Sequence, residues 1–130
     1  MKKLFISCPM KDRTDDAIVR DMERMHKVAE IIFDQELEVI PSFIKGAYSC
    51  EIDGANTSIY FLGEAIKKLA EADYFIGVEG LTTSRGCDIE ARVAFKYDIP
   101  SAFVDAKEFM PDVWEKEREG MRVTGRYHYR

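Results

Sequence analysis

Short apolar segments alternate with longer amphipathic stretches over the first 105 residues of the chain. Four short apolar runs have no helical stripe and predict buried strands at residues 3–7, 37–40, 73–78 and 101–104. Three stretches with apolar residues three and four positions apart predict helices at residues 15–33, 58–71 and 87–97. Because strands and helices alternate and the strands are apolar throughout, we expect an α/β fold with three layers. Its sheet should be mainly parallel, with four or five strands.

The segments outside this alternation predict a long loop and a distinct C-terminal tail. Residues 41–57 are rich in loop-forming residues, and a connector of this length is often a lid or a binding loop. Residues 111–119 predict a further helix with Pro111 at its first position. In residues 121–130 apolar and polar residues alternate, which predicts a basic C-terminal strand or arm. The whole chain, residues 1–130, is predicted to form a single domain.

Composition and charge exclude several classes of protein. The 130 residues carry 19 basic and 24 acidic side chains, a net charge of −5, whereas a polynucleotide-binding protein needs excess positive charge. No apolar run approaches the roughly 20 residues of a membrane-spanning helix, so no membrane partner is expected. The three cysteines, an odd number at wide spacing, predict neither a disulfide framework nor a zinc site. They favour reduced thiols and a cytoplasmic location.

Glu90 falls on the apolar side of the third predicted helix. At 100° per residue it lies among Val93, Ala94 and Tyr97, whereas Arg92 projects from the other side. A carboxylate that faces a core is costly unless it is paired or protonated. Glu90 is therefore either a catalytic nucleophile or general acid/base beside a cleft, or a structural residue near the helix start that accepts backbone hydrogen bonds or pairs with a lysine.

Two further polar features lie next to predicted strands. Ser84, Arg85 and Gly86 precede the third helix, where backbone N–H groups could bind an anion or where Ser84 could simply cap the helix. Asp73 begins the third strand and is either a second carboxylate of the site or a turn residue. Ligands of parallel sheets bind beyond the carboxyl ends of the strands, which selects the loops at residues 8–13 and 79–86.

The chain resembles the nucleoside 2-deoxyribosyltransferase superfamily in three places: residues 6–9, the strand that begins at Asp73, and the run from Ser84 to Glu90. This superfamily includes the 2′-deoxynucleoside 5′-phosphate N-hydrolases, and the pattern is most similar to a sister group of small phage and bacterial proteins. The resemblance covers about residues 3–105. It implies a flavodoxin-like parallel sheet, no metal or organic cofactor, and assembly into homo-oligomers.

The resemblance also implies a function for each matched residue. Glu90 corresponds to the nucleophile that attacks C1′ of a 2′-deoxyribose and expels the base, and Asp73 to a supporting catalytic aspartate. Ser84 stands where the nucleotide hydrolases have a phosphate-binding serine, which favours a 5′-monophosphate substrate. The implied substrate-binding residues are Ser7, Pro9, Lys11, Arg13, Ser84, Arg85 and Gly86.

Two departures from the family pattern leave other functions open. Phe5 occupies the position of a tyrosine whose hydroxyl bonds the nucleophile, and the arginine of the hydrolases' first loop has no match in register. The first hypothesis is an N-glycosidase or transferase that acts on a small-molecule nucleoside or nucleotide. The second is a nucleotide-binding sensor with little or no turnover. The third is a structural partner protein that uses the basic tail, although exchange of this arm between subunits would explain the tail equally well.

Overall fold

The computed structural model describes residues 1–42, 56–81 and 84–124. Within them the strands are β1 (Lys2–Ile6), β2 (Leu37–Val39), β3 (Tyr74–Glu79) and β4 (Ser101–Asp105). The helices are α1 (Asp15–Phe33), α2 (Thr57–Leu69), α3 (Arg85–Lys96), α4 (Ala106–Phe109) and α5 (Pro111–Thr124). Most of the predicted binding loop at residues 41–57 lies outside the described residues.

The four described strands form one parallel sheet in the order β2-β1-β3-β4. Leu4 of β1 pairs with Val39 on one side and with Tyr74 on the other, and Gly77 of β3 pairs with Phe103 of β4. Helices α1, α4 and α5 pack on one face of the sheet, and α2 and α3 on the other. The predicted three-layer α/β fold is therefore confirmed, with a parallel sheet of four strands and a flavodoxin-like arrangement.

The side chains of β1 alternate between the two faces of the sheet. Leu4 and Ile6 belong to the apolar cluster that contains Met25 of α1. Phe5 points to the opposite face and stacks on Phe75 of β3, with ring centroids 6.0 Å apart. Every one of these side chains is almost completely buried. The strand is apolar at consecutive positions because helices cover both faces.

Helix α1 begins and ends at residues that its sequence specifies. The Thr14 hydroxyl accepts a hydrogen bond from the Ala17 amide at 3.2 Å, which satisfies a free N–H group of the first turn. Two acidic residues in that turn suit the positive end of the helix dipole. Asp34 ends the helix with a φ of 52°, a left-handed conformation that aspartate tolerates better than most residues. The predicted bounds at residues 15–33 are confirmed.

The C-terminal helix is longer than predicted. Helix α5 continues to Thr124, so the predicted strand or arm is wrong for residues 121–124. Extending an existing helix gains a hydrogen bond per residue without the cost of nucleation, and this outweighs a short period-two pattern. Residues 125–130 lie outside the described part of the chain. None of the described helices is long and apolar enough to cross a membrane.

The two central strands continue into helices on opposite faces of the sheet. The chain passes from β1 to α1 on one face and from β3 to α3 on the other, although β1 and β3 are neighbours. Such a divergence opens a cleft at the carboxyl ends of the two strands. The residues that follow β1 and those that begin α3 therefore border one cleft.

Candidate active site

A hydrogen bond joins Ser7 to Glu90 at the carboxyl end of β1. The Ser7 amide donates to the Ile76 carbonyl of β3 at 2.9 Å, which extends the sheet by one residue beyond β1. The Ser7 hydroxyl donates to Oε1 of Glu90, on α3, at 2.6 Å. These two side chains are 83 positions apart in the sequence. Their contact therefore depends on the tertiary fold.

The Glu90 carboxyl group is held in a largely apolar environment. Burial raises the pKa of Glu90 from its ordinary 4.5 to about 7, and the hydrogen bond from Ser7 opposes this rise. Its neighbours Ala91, Val93 and Ala94 pack into the core and Glu90 accepts a hydrogen bond from the buried Ser7, so its predicted inward orientation is confirmed. Tyr97, predicted to lie on the same side of the helix, is instead 77% exposed. Because protonated and ionised forms are both populated near neutral pH, Glu90 can serve as a nucleophile or as a general acid.

The amino end of α3 is open to solvent. Ser84 precedes the helix, but its side chain does not cap it and interacts instead with the Cys87 thiol. The helix begins two residues earlier than predicted, so the exposed Arg85 and Gly86 belong to its first turn. Outside this helix, no described atom lies within 4 Å of where a Cβ on Gly86 would be. The positive end of the helix dipole is thus accessible to an anion.

Two thiols flank the Ser7–Glu90 hydrogen bond. Burial raises the pKa of Cys8, the residue after Ser7, to about 12. Burial and then the charge of Glu90 raise the pKa of Cys87 to about 11, although hydrogen bonds with Ser84 and Ser7 oppose this. Both cysteines are therefore neutral thiols at physiological pH, not nucleophiles. Cys87 is not among the residues predicted from the sequence, although its spacing of three residues from Glu90 places both on one helix face.

Arg13 lies in the loop after β1, but the structure gives it a partner other than the predicted substrate. Its side chain is only 2% exposed and forms an ion pair with the buried Asp21 of α1. Burial opposes ionisation of Asp21, but hydrogen bonds from Arg20, Arg13 and Arg24 hold its pKa below the ordinary value. This corrects the predicted substrate contact. Asp21 could have been found from the sequence, because it lies on the apolar stripe of α1.

Whereas Glu90 lies at the carboxyl-terminal end of the parallel strands (the carboxyl edge), Asp73 lies at their amino-terminal end (the amino edge). Its carboxylate accepts a hydrogen bond from the Lys3 amide at 2.8 Å, and its own amide donates to the Lys3 carbonyl at 2.9 Å. Ile6 pairs with Ile76, so Ser7 is level with Gly77, and Asp73 lies roughly 13 Å away along the strand at about 3.3 Å per residue. The predicted pair of catalytic carboxylates is therefore wrong. A residue that begins a parallel strand belongs to the amino edge, whereas the cleft lies at the carboxyl edge.

The remaining residues of the first strand and loop differ in accessibility. Pro9 is buried, and its carbonyl accepts a hydrogen bond from Arg13 at 3.1 Å, whereas Lys11 is exposed. Phe5 is fully buried in the sheet. Ser7, predicted to contact substrate, instead supplies the hydroxyl that bonds Glu90. It takes over the contact that the resemblance assigned to a tyrosine at the position of Phe5.

No protein-family model and no curated protein matches the chain. Within the described residues, no group of three or more histidine, cysteine, aspartate or glutamate side chains could hold a metal ion. The candidate site is therefore defined by its own side chains. They are the hydroxyls of Ser7 and Ser84, the thiol of Cys87 and the carboxyl group of Glu90.

Proposed function

We propose that the chain cleaves the N-glycosidic bond of a 2′-deoxynucleoside or its 5′-monophosphate, as a hydrolase or a deoxyribosyltransferase, with Glu90 as the nucleophile. The observation that carries this proposal is the state of the Glu90 carboxyl group. It is held by Ser7 at 2.6 Å at the carboxyl edge of a parallel sheet, and its pKa is about 7. A carboxylate used only for folding is usually paired, but no cation among the described residues contributes to the pKa of Glu90.

The proposed reaction has two displacements at C1′ of the sugar. First, an oxygen of Glu90 forms a bond to C1′ while the bond from C1′ to the base nitrogen breaks. The electron pair of that bond leaves with the base, which takes up a proton from the solvent. Water or a second base then attacks C1′, gives up a proton to the solvent and displaces the Glu90 carboxylate, so the configuration is retained. The Ser7 hydroxyl orients the carboxylate and favours the ionised form that attacks.

The open amino end of α3 supports a 5′-monophosphate as the preferred substrate. Exposed Arg85 and Gly86 offer the backbone amides and one positive side chain to an anion, and Ser84 adds a hydroxyl. Ser84 and Glu90 are six positions apart, or about 9 Å along the helix axis at 1.5 Å per residue. A nucleoside monophosphate can span this separation, with its phosphate at the helix end and its sugar at Glu90.

A nucleotide-binding protein with little or no turnover is the second candidate function. The position of Asp73 favours it, because the second carboxylate that the family resemblance implied is at the other edge of the sheet. On this hypothesis the same cleft binds the nucleotide, and the partly buried Glu90 contributes a hydrogen bond to it. Assembly into a homo-oligomer and a cytoplasmic location stay predictions under both hypotheses.

The test is a chromatographic assay of free base released from all common deoxynucleosides and their 5′-monophosphates. The wild type should release base, most efficiently from a monophosphate. Glu90→Gln should reduce this release by about a thousandfold or more, because glutamine keeps the shape of the side chain but cannot form the glycosyl ester. Asp73→Asn is the matched acid-to-amide control. It should retain the wild-type rate because Asp73 lies at the amino edge of the sheet.

Two outcomes contradict the proposed chemistry. Base release that is unchanged in Glu90→Gln would show that another group is the nucleophile. A wild type that binds deoxynucleotides by calorimetry but forms no product after long incubation would replace the enzyme with the nucleotide-binding protein.

A further inference from the structure

Arg13 connects a buried ion pair to the loop that follows β1. Its Nη2 atom bonds the Asp21 carboxylate of α1 and lies 3.4 Å from a carboxylate oxygen of Asp112 on α5. Its Nη1 atom donates to the Pro9 carbonyl at 3.1 Å and lies 3.7 Å from the Cys8 sulfur. One side chain thus bridges two helices and the two residues directly after the serine of the candidate site.

The anchor of this bridge is charged across the neutral pH range. Asp21 is fully buried, yet hydrogen bonds from Arg20, Arg13 and Arg24 hold its pKa below the ordinary value. Arg20 and Arg24 are about half exposed and reach Asp21 from their own positions on α1. Arg24 also donates to the Phe109 carbonyl at 3.0 Å. Arg13 is therefore the arginine of this cluster that also holds the loop after β1.

The guanidinium group of Arg13 is oriented by these two sets of contacts. Its Nε atom is buried and has no hydrogen-bond partner among the described residues. The planar fork instead directs Nη1 to the loop and Nη2 to Asp21. A lysine could keep the positive charge beside Asp21, but its single nitrogen could not reproduce both arms of the fork.

The orientation of Ser7 depends on the backbone on both of its sides. On one side its amide is fixed by the Ile76 carbonyl of β3. On the other side the chain turns away from the sheet through Cys8 and Pro9, the residues that Arg13 contacts. We propose that Arg13, locked on Asp21, is a positioning residue that directs the Ser7 hydroxyl at Glu90. The effect of Arg13 on catalysis rests on the proposed function, whereas its effect on the Ser7–Glu90 hydrogen bond does not.

Titration of Glu90 reports on this contact directly. Among the described residues, the Ser7 hydroxyl is the one interaction that lowers the pKa of Glu90, and Arg13 makes no contribution of its own. The two flanking thiols, Cys87 on α3 and Cys8 on the loop after β1, are neutral in this pH range because their pKa values are about 11 and about 12. A change at Arg13 that leaves the burial of Glu90 unchanged therefore moves the titration of Glu90 by moving Ser7.

The experiment is a pH titration of the Glu90 carboxyl carbon by NMR, with protein carrying ¹³C-labelled glutamate. Glu90→Gln identifies the signal, and Ser7→Ala gives the shift expected when the hydrogen bond is lost, about one pH unit upward. Arg13→Lys and Arg13→Met should each shift the midpoint in the same direction, toward that of Ser7→Ala. Arg24→Met is the matched control, because Arg24 bonds Asp21 at 2.9 Å without contacting the loop after β1.

The expected result separates positioning from stability. Arg24→Met should lower the melting temperature but leave the Glu90 midpoint at its wild-type value. The double variant Ser7→Ala/Arg13→Lys should shift no further than Ser7→Ala alone, because both changes remove one contact. If Arg13→Met does not fold, Arg13→Lys provides the comparison. A wild-type midpoint in the Arg13 variants, or an equal shift in Arg24→Met, would overturn the proposal. Because no substrate is present, the result does not depend on whether the glycosidase activity exists.

Discussion

Replacing Glu90 with glutamine should remove a pH dependence from the stability of the protein. The folded protein holds the Glu90 carboxyl group at a pKa of about 7, whereas the ordinary value is 4.5. Below pH 4.5 both the folded and the unfolded chain carry the proton. Between pH 4.5 and 7 the unfolded chain releases it while the folded protein keeps it, so the free energy of unfolding falls as the pH rises. Above pH 7 the folded protein carries the full cost of the buried charge.

The size of this effect follows from the two pKa values. At 1.36 kcal/mol per pH unit, their difference corresponds to about 3 kcal/mol of stability, present below pH 4.5 and lost above pH 7. Glu90→Gln keeps an oxygen that can accept the Ser7 hydrogen bond but has no proton to lose. As the pH rises from 4.5 to 8, the free energy of unfolding of the variant should therefore increase by about 3 kcal/mol relative to that of the wild type. With a urea slope of about 2 kcal/mol per molar, the gain raises the unfolding midpoint by roughly 1.5 M.

Urea unfolding at a series of pH values between 4 and 8.5 measures this difference. Trp114, the single tryptophan of the chain, provides the fluorescence signal. Glu38→Gln is the control, because it makes the same acid-to-amide change at an exposed position of β2. A difference between Glu90→Gln and the wild type that stays constant over this pH range would contradict this prediction. It would mean that Glu90 titrates as an ordinary exposed carboxylate and that its ionised form alone is populated near neutral pH.

Two further predictions concern the thiols and the sheet. In a variant that keeps Cys8 and Cys87 as its two cysteines, both thiols of the folded protein should react slowly with Ellman's reagent at pH 8, because their pKa values are about 12 and about 11. Both should react rapidly in the unfolded protein, and rapid labelling of the folded protein would contradict this. Gly77→Ala should lose about 1–3 kcal/mol in urea unfolding, since its Cβ would lie 2.8 Å from a ring carbon of Phe75. Gly63→Ala, in open space on α2, should instead stabilise the protein slightly.

Features set by local geometry were predictable from the sequence. The bounds of α1 follow from its apolar stripe, the Thr14 cap and the left-handed Asp34, all of which are encoded within a few residues. The inward orientation of Glu90 follows from the fixed rotation of 100° per residue. The same rotation also identifies Asp21 as a buried carboxylate, although sequence analysis did not apply it there.

Features set by contacts between distant segments were not predictable in the same way. Arg13 carries the charge that a phosphate contact requires, and nothing local to it shows that Asp21 binds it first. Asp73 shows a different kind of error, because strand direction alone places it at the edge away from the cleft. Its assignment as a second carboxylate of the site, which the family resemblance also implied, conflicted with the rule that ligands bind at carboxyl ends.

Local sequence pattern therefore predicts the four strands, helices α1 to α3, the parallel three-layer fold and the inward-facing carboxylate of α3, but not α4 or the last turn of α5. Periodicity and capping are local properties of the backbone, so each segment specifies its own helix or strand. Which side chain contacts the Glu90 carboxyl group depends on the tertiary structure. The Ser7 hydroxyl bonds Glu90, 83 positions away in the sequence, because β1 ends and α3 begins at the carboxyl-terminal end of the parallel strands. The resulting burial, which sets the pKa of Glu90 near 7, is a property of the packed fold.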